Sequence, residues 1–343
     1  MPLKILNFSE TVDSPGLVQQ WVQLNGEEKS GNFFQSPHYL ALFHGCPGYR
    51  PIALFALEGE KLAGFLVAVA IRQRISGIPF QRVVVIGGPV VSEALKNSVE
   101  ITRELLIALK NCIPADTVFV EIRNTALRAG EAGIFTDQGY EWNDHLNSLL
   151  PVESQDALFA GLKSSKQRQI KRGLENGAIM RIASSIEDVT ALYGLLKLLY
   201  KKRVRKPLPP LLFFLNFYRQ VQSAGMGVIT VVEYRGEIIG GMVCAFSGRH
   251  TLHEWYVASN LNAHKRLYPG VLSTWAGIDY AARSGFSYFD FMGMGSPHQP
   301  YGTRDFKKQF GGETINLGRW RLINNSFVYN IGVLGYRLLK SLK

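Results

Sequence analysis

The stretch VITVVEYRGEIIGGMVCAFSGRHTLHEWYVAS, residues 228–259, decides the fold. Three runs rich in β-branched and aromatic residues follow one another almost without interruption. The breaks at Arg235-Gly236 and Gly248-Arg249 are short glycine turns of the kind that join adjacent antiparallel strands. The stretch therefore predicts a three-stranded meander. PGVLSTWAGIDYAARSG (269–285) follows. Its Val271, Trp275, Ile278 and Ala282 recur at spacings of four, three and four, a stripe that predicts a buried helix face. A strand, SYFDFMG (287–293), comes next, then a Gly/Pro/Ser loop and the segment FKKQF (306–310).

Earlier in the chain the same plan recurs. LFALEGEKLAGFLVAVAI (54–71) reads as two strands around a Glu-Gly-Glu turn, and FQRVVVIGGPVV (80–91) as a third. A helix is predicted over Glu93–Asn111. A strand TVFVEIR (117–123), a short helix over Ala129–Gln138 and a strand EWNDHLNSLL (141–150) follow. Ser36 and Ser185 are suited to cap helices, with Pro37 at a first helical position. The shared rhythm predicts an internal duplication, with an α/β domain over 1–150 and a second over 151–343.

A chain of 343 residues suits two domains, and 46% hydrophobic with 19% charged residues is ordinary globular composition. The net charge of +11 points to an anionic partner: tRNA, a phosphate-bearing substrate or an anionic membrane surface. Three cysteines without metal-ligand spacing fit a reducing cytoplasm rather than a disulfide framework. The first residues lack a signal-peptide core, and the longest apolar run, LAGFLVAVAI (62–71), is too short to span a bilayer. No metal cluster, G-x-S-x-G elbow or Walker loop is present.

Several residues stand out for chemistry. Lys163, Lys166, Arg168, Lys171 and Arg172 fall within ten residues with no acid among them. On a helix, Arg168, Lys171 and Arg172 share a face that could bind phosphates or simply be solvated. A second basic run, KLLYKKRVRKP (197–207), contains Lys201, Lys202 and Arg203. Asp290 lies between Phe289 and Phe291, so it points away from the core that they enter. Phe306 and Phe310, four apart, anchor a helical turn and aim Lys307 and Arg304 toward a cleft. A fixed ammonium there would stabilise the oxyanion of an acyl transfer. Strand alternation places Glu254 and Tyr256 on one face, where Glu254 could accept an amine proton, and His253, Trp255 and Val257 on the other. Val328, Ile331, Leu334, Leu338 and Leu342 recur at helical spacing. That helix could pack on the protein or lie on an anionic bilayer.

The order of these elements resembles the acyltransferase fold of the GNAT superfamily, and more specifically the FemAB-like relatives of the Fem aminoacyl transferases that build peptidoglycan cross-bridges. The resemblance rests on SSKQRQIKRG (164–173), YPGVLSTWAGIDYAARSGFSYFDFMG (268–293) and YGTRDFKKQFGGE (301–313), together with FFQSPHY (33–39) and FQRVVVIGGPVV. It implies two tandem GNAT-like domains, of the acyl-CoA N-acyltransferase fold, with mixed, largely antiparallel sheets. It also implies transfer of an acyl or aminoacyl group to an amine on a peptidoglycan or polysaccharide precursor. Lys307 matches the lysine that the Fem enzymes place at the transferring centre. Glu254 and Asp290 complete the implied catalytic set, with Tyr256, Tyr301, Arg304, Lys166, Arg168, Lys171 and Arg172 toward substrate. The donor is expected to be an aminoacyl-tRNA or an acyl-CoA, and the location cytoplasmic, at most peripheral to the inner membrane face. The region 184–225 lacks the sustained heptads of the coiled-coil insertion that cross-bridge enzymes carry. The segment HKRLYPGVLST (264–274) has Arg266 and Gly270, but Pro269 removes one amide from the place where GNAT enzymes hold a pyrophosphate.

Overall fold

The computed structural model describes residues 3–7, 15–75, 78–128, 130–204, 207–260 and 264–332. Arg205, Lys206, Leu334, Leu338, Lys340, Leu342 and Lys343 of the predicted basic run and C-terminal helix lie outside them. The chain forms two compact units.

The first unit begins with β1 (Leu3–Asn7), α1 (Pro15–Glu27) and α2 (Pro37–Ala41), whose N-terminus is capped by Ser36, with Pro37 in the first turn. The meander β2 (Tyr49–Glu58), β3 (Lys61–Ile75) and β4 (Ile78–Ile86) leads through β5 (Val90–Val91) to α3 (Ser98–Cys112), β6 (Thr117–Arg123), α4 (Ala132–Asp137) and β7 (Glu141–Asn143). Every neighbouring pair in its sheet is antiparallel except β4 and β6, which α3 connects as a crossover. Ile101, Leu105, Leu106 and Leu109 of α3 recur at spacings of four, one and three. All are buried against Leu54, Val83, Val85 and Val120.

The second unit repeats this plan. It runs β8 (Leu146–Pro151), α5 (Gln155–Gly161), α6 (Ser164–Glu175), β9 (Ile179–Ile182), α7 (Ile186–Leu199) and α8 (Leu211–Asn216). The meander β10 (Gly227–Tyr234), β11 (Glu237–Ser247) and β12 (Thr251–Ser259) follows, then α9 (Pro269–Arg283), β13 (Tyr288–Gly293), α10 (Gly302–Lys307) and β14 (Glu313–Asn316). The sheet order is β14-β8-β13-β12-β11-β10-β9, and the parallel pair, β12 with β13, again brackets the crossover helix. Arg235 and Gly236 both have positive φ, as a tight two-residue hairpin turn requires. Trp275 and Ile278 of α9 are buried with Phe289 and Phe291 of β13. Gly240 lets α9 approach the sheet, since a Cβ there would sit 2.3 Å from the Ser273 hydroxyl.

The boundaries differ from the sequence reading. The run 141–150 is not one strand: β7 belongs to the first sheet and β8 to the second, and the units divide at Asp144 and His145. The chain also re-enters the first sheet through β15 (Arg319–Ile323), which pairs with β6 and β7, so the second unit ends at Asn316 rather than at the C-terminus. Trp320, buried and stacked on Phe135 at 5.0 Å, holds β15 there. The predicted helix over 93–111 starts five residues later, at Ser98. No helix among the described residues is long and apolar enough to cross a membrane.

Candidate active site

The site lies where β13 ends and α10 begins, entirely within the second unit. Phe306 and Phe310 anchor this short helical segment, with ring centroids 5.2 Å apart, and Phe310 lies 6.4 Å from Phe291. The Lys166 ammonium sits 5.0 Å above the Phe306 ring. With the phenylalanines turned to the core, Lys307 projects elsewhere, and its side chain is only 8% exposed. Its ammonium meets Glu254 Oε1 at 3.0 Å and donates to the carbonyls of Phe291 and Gly293, the latter at 3.4 Å. All three ammonium protons thus have acceptors.

Glu254 is as deeply buried as its partner, and its second oxygen, Oε2, has no hydrogen-bond partner. Burial raises its carboxyl above the usual range; the Lys307 ammonium opposes the shift and the Asp290 carboxylate adds to it. Behind it, the Cys244 thiol is pushed well up by burial, reinforced by the Glu254 charge.

The two carbonyls face Lys307 because Met292, between them, has φ of 54°, a left-handed conformation that a non-glycine residue adopts only when held there. Asp290 holds it: Oδ1 accepts from the Met292 amide at 2.6 Å. Its Oδ2 lies 3.1 Å from His253 Nδ1, and His253 Nε2 lies 2.8 Å from Ser247 Oγ. Nδ1 donating to the carboxylate and Nε2 accepting from the serine satisfies every member. A polar chain, Ser247–His253–Asp290, therefore runs under the loop that receives Lys307.

The structure brings Lys307, Glu254 and Asp290 together. Tyr256 lies elsewhere. A β-bulge inserts Trp255 opposite the Val243–Cys244 step, pairing Val243 with Tyr256 and Cys244 with Glu254. The extra residue breaks the alternation, so Trp255 and Tyr256 both meet Phe213, and Tyr256 stands 5.1 Å from Phe214. Arg304 does not reach outward: Nε donates to Met294 O at 3.1 Å and Nη2 to the carbonyls of Ser296 and Gln299, lashing the loop to α10. The exposed Tyr301 ring lies over Gly295 of the same loop. Lys166 departs from the predicted basic face. It is buried against Phe306, and burial lowers its pKa. Arg168, Lys171 and Arg172 are exposed, as are Lys201, Lys202 and Arg203.

Sequence reasoning set His253 aside and passed over Ser247. The hairpin itself carried a signal, because a turn at Gly248–His250 brings Ser247 opposite Thr251 and within reach of His253. Among the described residues no group of three or more His, Cys, Asp or Glu side chains could hold a metal ion.

The fold that carries this site has known counterparts. Residues 162–308, all within the second unit, match the family described as acetyltransferase (GNAT) domain. Across nearly its whole length the chain has the fold of FemX, with 14% identity, a TM-score of 0.67, and coverage of 92% of this chain and 98% of that one. It is also similar to a tandem GNAT protein from the clavulanic acid biosynthesis pathway (13% identity, TM-score 0.57, coverage 94% and 99%). A third similar structure is the C-terminal domain of a putative lysylphosphatidylglycerol synthetase from Agrobacterium fabrum (10% identity, TM-score 0.56, coverage 94% and 95%). No curated protein matches the sequence. The chain is thus a FemAB-like protein in fold, with two GNAT-like units in tandem.

Proposed function

We propose that the protein transfers an aminoacyl group from aminoacyl-tRNA to an amine on a phosphate-bearing cell-envelope precursor, of peptidoglycan or an exopolysaccharide, at the cytoplasmic face of the inner membrane. The observation that carries this reading is the buried Lys307–Glu254 pair held on the carbonyls that flank Met292.

In this scheme the acceptor amine attacks the ester carbonyl, forming a C–N bond, and its proton passes to Glu254, whose raised pKa and unpartnered Oε2 suit a proton acceptor. The carbonyl oxygen gathers negative charge and replaces Gly293 O, the most distant of Lys307's acceptors, on the ammonium. Collapse breaks the ester C–O bond, and the proton on Glu254 leaves with the ribose oxygen. Ser247, His253 and Asp290 are positioning residues that keep Met292 in the conformation presenting both carbonyls. The exposed basic residues of α6 and of 201–203 would meet phosphates of the tRNA or the precursor. The ester donor is favoured over a thioester by the start of α9. Pro269 withholds an amide there, and α6 is packed so closely that a Cβ at Gly173 would lie 2.7 Å from Leu267 O.

The test is to incubate the protein with aminoacyl-tRNA or acyl-CoA, each paired with lipid-linked and soluble amine-bearing precursors, and to follow acceptor mass by mass spectrometry. An acceptor that gains one aminoacyl residue is the expected result. Product with acyl-CoA alone, or none with any pair, would overturn the assignment of the donor or of the reaction.

A further inference from the structure

Three neighbouring strands of the second sheet each place one polar side chain in a row: Ser247 on β11, His253 on β12 and Asp290 on β13. The register dictates the row. Ser247 stands opposite Thr251, and His253, two residues beyond Thr251 on the same strand face, is a diagonal neighbour of the serine. In the parallel pairing of β12 with β13, His253 stands opposite Asp290. The contacts follow from this placement. Ser247 Oγ lies 2.8 Å from His253 Nε2, and His253 Nδ1 lies 3.1 Å from Asp290 Oδ2.

Holding the loop at Met292 needs only Asp290 Oδ1, which accepts from the Met292 amide. The other oxygen, Oδ2, faces the histidine. A carboxylate only accepts hydrogen bonds, so Nδ1 beside it carries the ring proton. The neutral ring then has its lone pair at Nε2, aimed at the serine hydroxyl. A serine, an imidazole Nε2 and a carboxylate on Nδ1, with contacts of about 2.6–3.2 Å, are the parts that turn a hydroxyl into a nucleophile.

Burial is graded along the row. Asp290 and His253 are 2% and 3% exposed, which fixes the ring and shields it from water. Ser247 is half-buried and ends its strand at the exposed turn Gly248–His250. Gly248 has φ of 56°, and a Cβ there would meet only His250 N, at 3.9 Å. The backbone next to the serine is thus open to an approaching molecule.

We propose that Ser247 is a second reactive centre, a nucleophile that takes an acyl group from an activated ester. His253 is its base, and Asp290 is the positioning residue of His253. Oγ attacks the ester carbonyl, forming a C–O bond, and its proton moves to His253 Nε2. The ester C–O bond breaks, and the leaving alcohol takes that proton. Water then attacks the acyl-serine, its proton passing through Nε2 to Oγ, and a carboxylic acid is released. An ester with a good leaving group is the class that such a pair opens with the least help at the carbonyl oxygen. The step uses neither Lys307 nor Glu254, so it stands or falls separately from transfer to an amine.

A fluorophosphonate adds to activated serines with loss of fluoride. Incubated with the full chain, it should raise the intact mass by one adduct, and peptide mapping should place the adduct on Ser247. The protein should also hydrolyse p-nitrophenyl acetate. Ser247→Ala should lose both the adduct and the hydrolysis. His253→Gln should slow labelling of Ser247 by about 100-fold. Ser223→Ala, at an exposed serine of the same unit, should leave both unchanged. Should His253→Gln fail to fold, the position of the adduct and the Ser247→Ala comparison carry the test. The proposal is overturned if the folded wild type takes no adduct or takes it elsewhere. It is equally overturned if folded His253→Gln is labelled as fast as the wild type, or if Ser247→Ala hydrolyses the ester as well.

Discussion

Among the described residues each unit buries one glutamate on a central strand of its sheet, and the two are driven in opposite directions. Glu254 meets a single cation, Lys307, and burial prevails, so its carboxyl holds a proton more tightly than an ordinary one. Glu121 is also buried, which alone would raise it. The combined attraction of Arg123, Arg319 and Arg321 prevails instead, and its carboxyl sits well below the usual range. The number of cations, not the depth of burial, decides the sign. One cation leaves a carboxylate poised to exchange a proton; three fix it as an anion.

That contrast can be broken by mutation. The largest effect on stability is expected from Lys307→Met, which strands Glu254 in the interior and should cost about 3 kcal/mol. Adding Glu254→Gln should return most of the loss, because a neutral amide needs no counter-charge. Chemical denaturation of the two single variants and the double variant measures the coupling. Glu121→Gln should cost less, about 2 kcal/mol, because the three arginines it releases are partly solvated.

The pH dependence should separate the two sites further. Glu121 is depressed in the folded state, so its contribution is present above the unfolded value near 4.5 and is lost as pH falls through its folded pKa. Glu254 is raised, so the wild type loses stability relative to Glu254→Gln as pH climbs from about 4.5 through the folded pKa of Glu254. Melting curves of the wild type, Glu121→Gln and Glu254→Gln across pH should show differences of opposite slope. Equal slopes would remove the distinction between the sites. The smallest effect is expected from Ser247→Ala. It deletes the outermost member of the polar chain and should cost about 1 kcal/mol. The His253 ring resonances should then shift in NMR spectra while Lys307 keeps its partners.

Much of the architecture was legible in the sequence because its signals are local. The turns at Glu58–Lys61 and Arg235-Gly236, the stripe on α9 and the caps at Ser36 and Ser185 each depend on near neighbours. What could not be read depends on pairing. Trp320 and Leu322 alternate with Arg319 and Arg321, which marks a strand. Nothing in that alternation says that the strand returns to the first sheet. Asn143-Asp144 is a turn signal inside 141–150 that the reading as one strand passed over, and the chain changes sheets there. The bulge at Trp255 arises from the register with β11, so the expected partnership of Glu254 with Tyr256 failed. Lys307 could be picked out through the Phe306–Phe310 spacing, whereas its pairing with Glu254 is a contact 53 positions away in the chain. Lys166 was readable and misassigned: it stands four before Ile170, on the buried side of α6.

The account depends most on Lys307 acting at the reacting carbonyl rather than merely filling the interior. The direct measurement is kcat and KM for Lys307→Met/Glu254→Gln beside Glu254→Gln alone, with the acceptor identified by mass gain and both variants shown to be folded. A further fall in kcat of about 100-fold when the lysine is removed, with KM little changed, is the predicted result. Equal kcat in the two folded variants would contradict it.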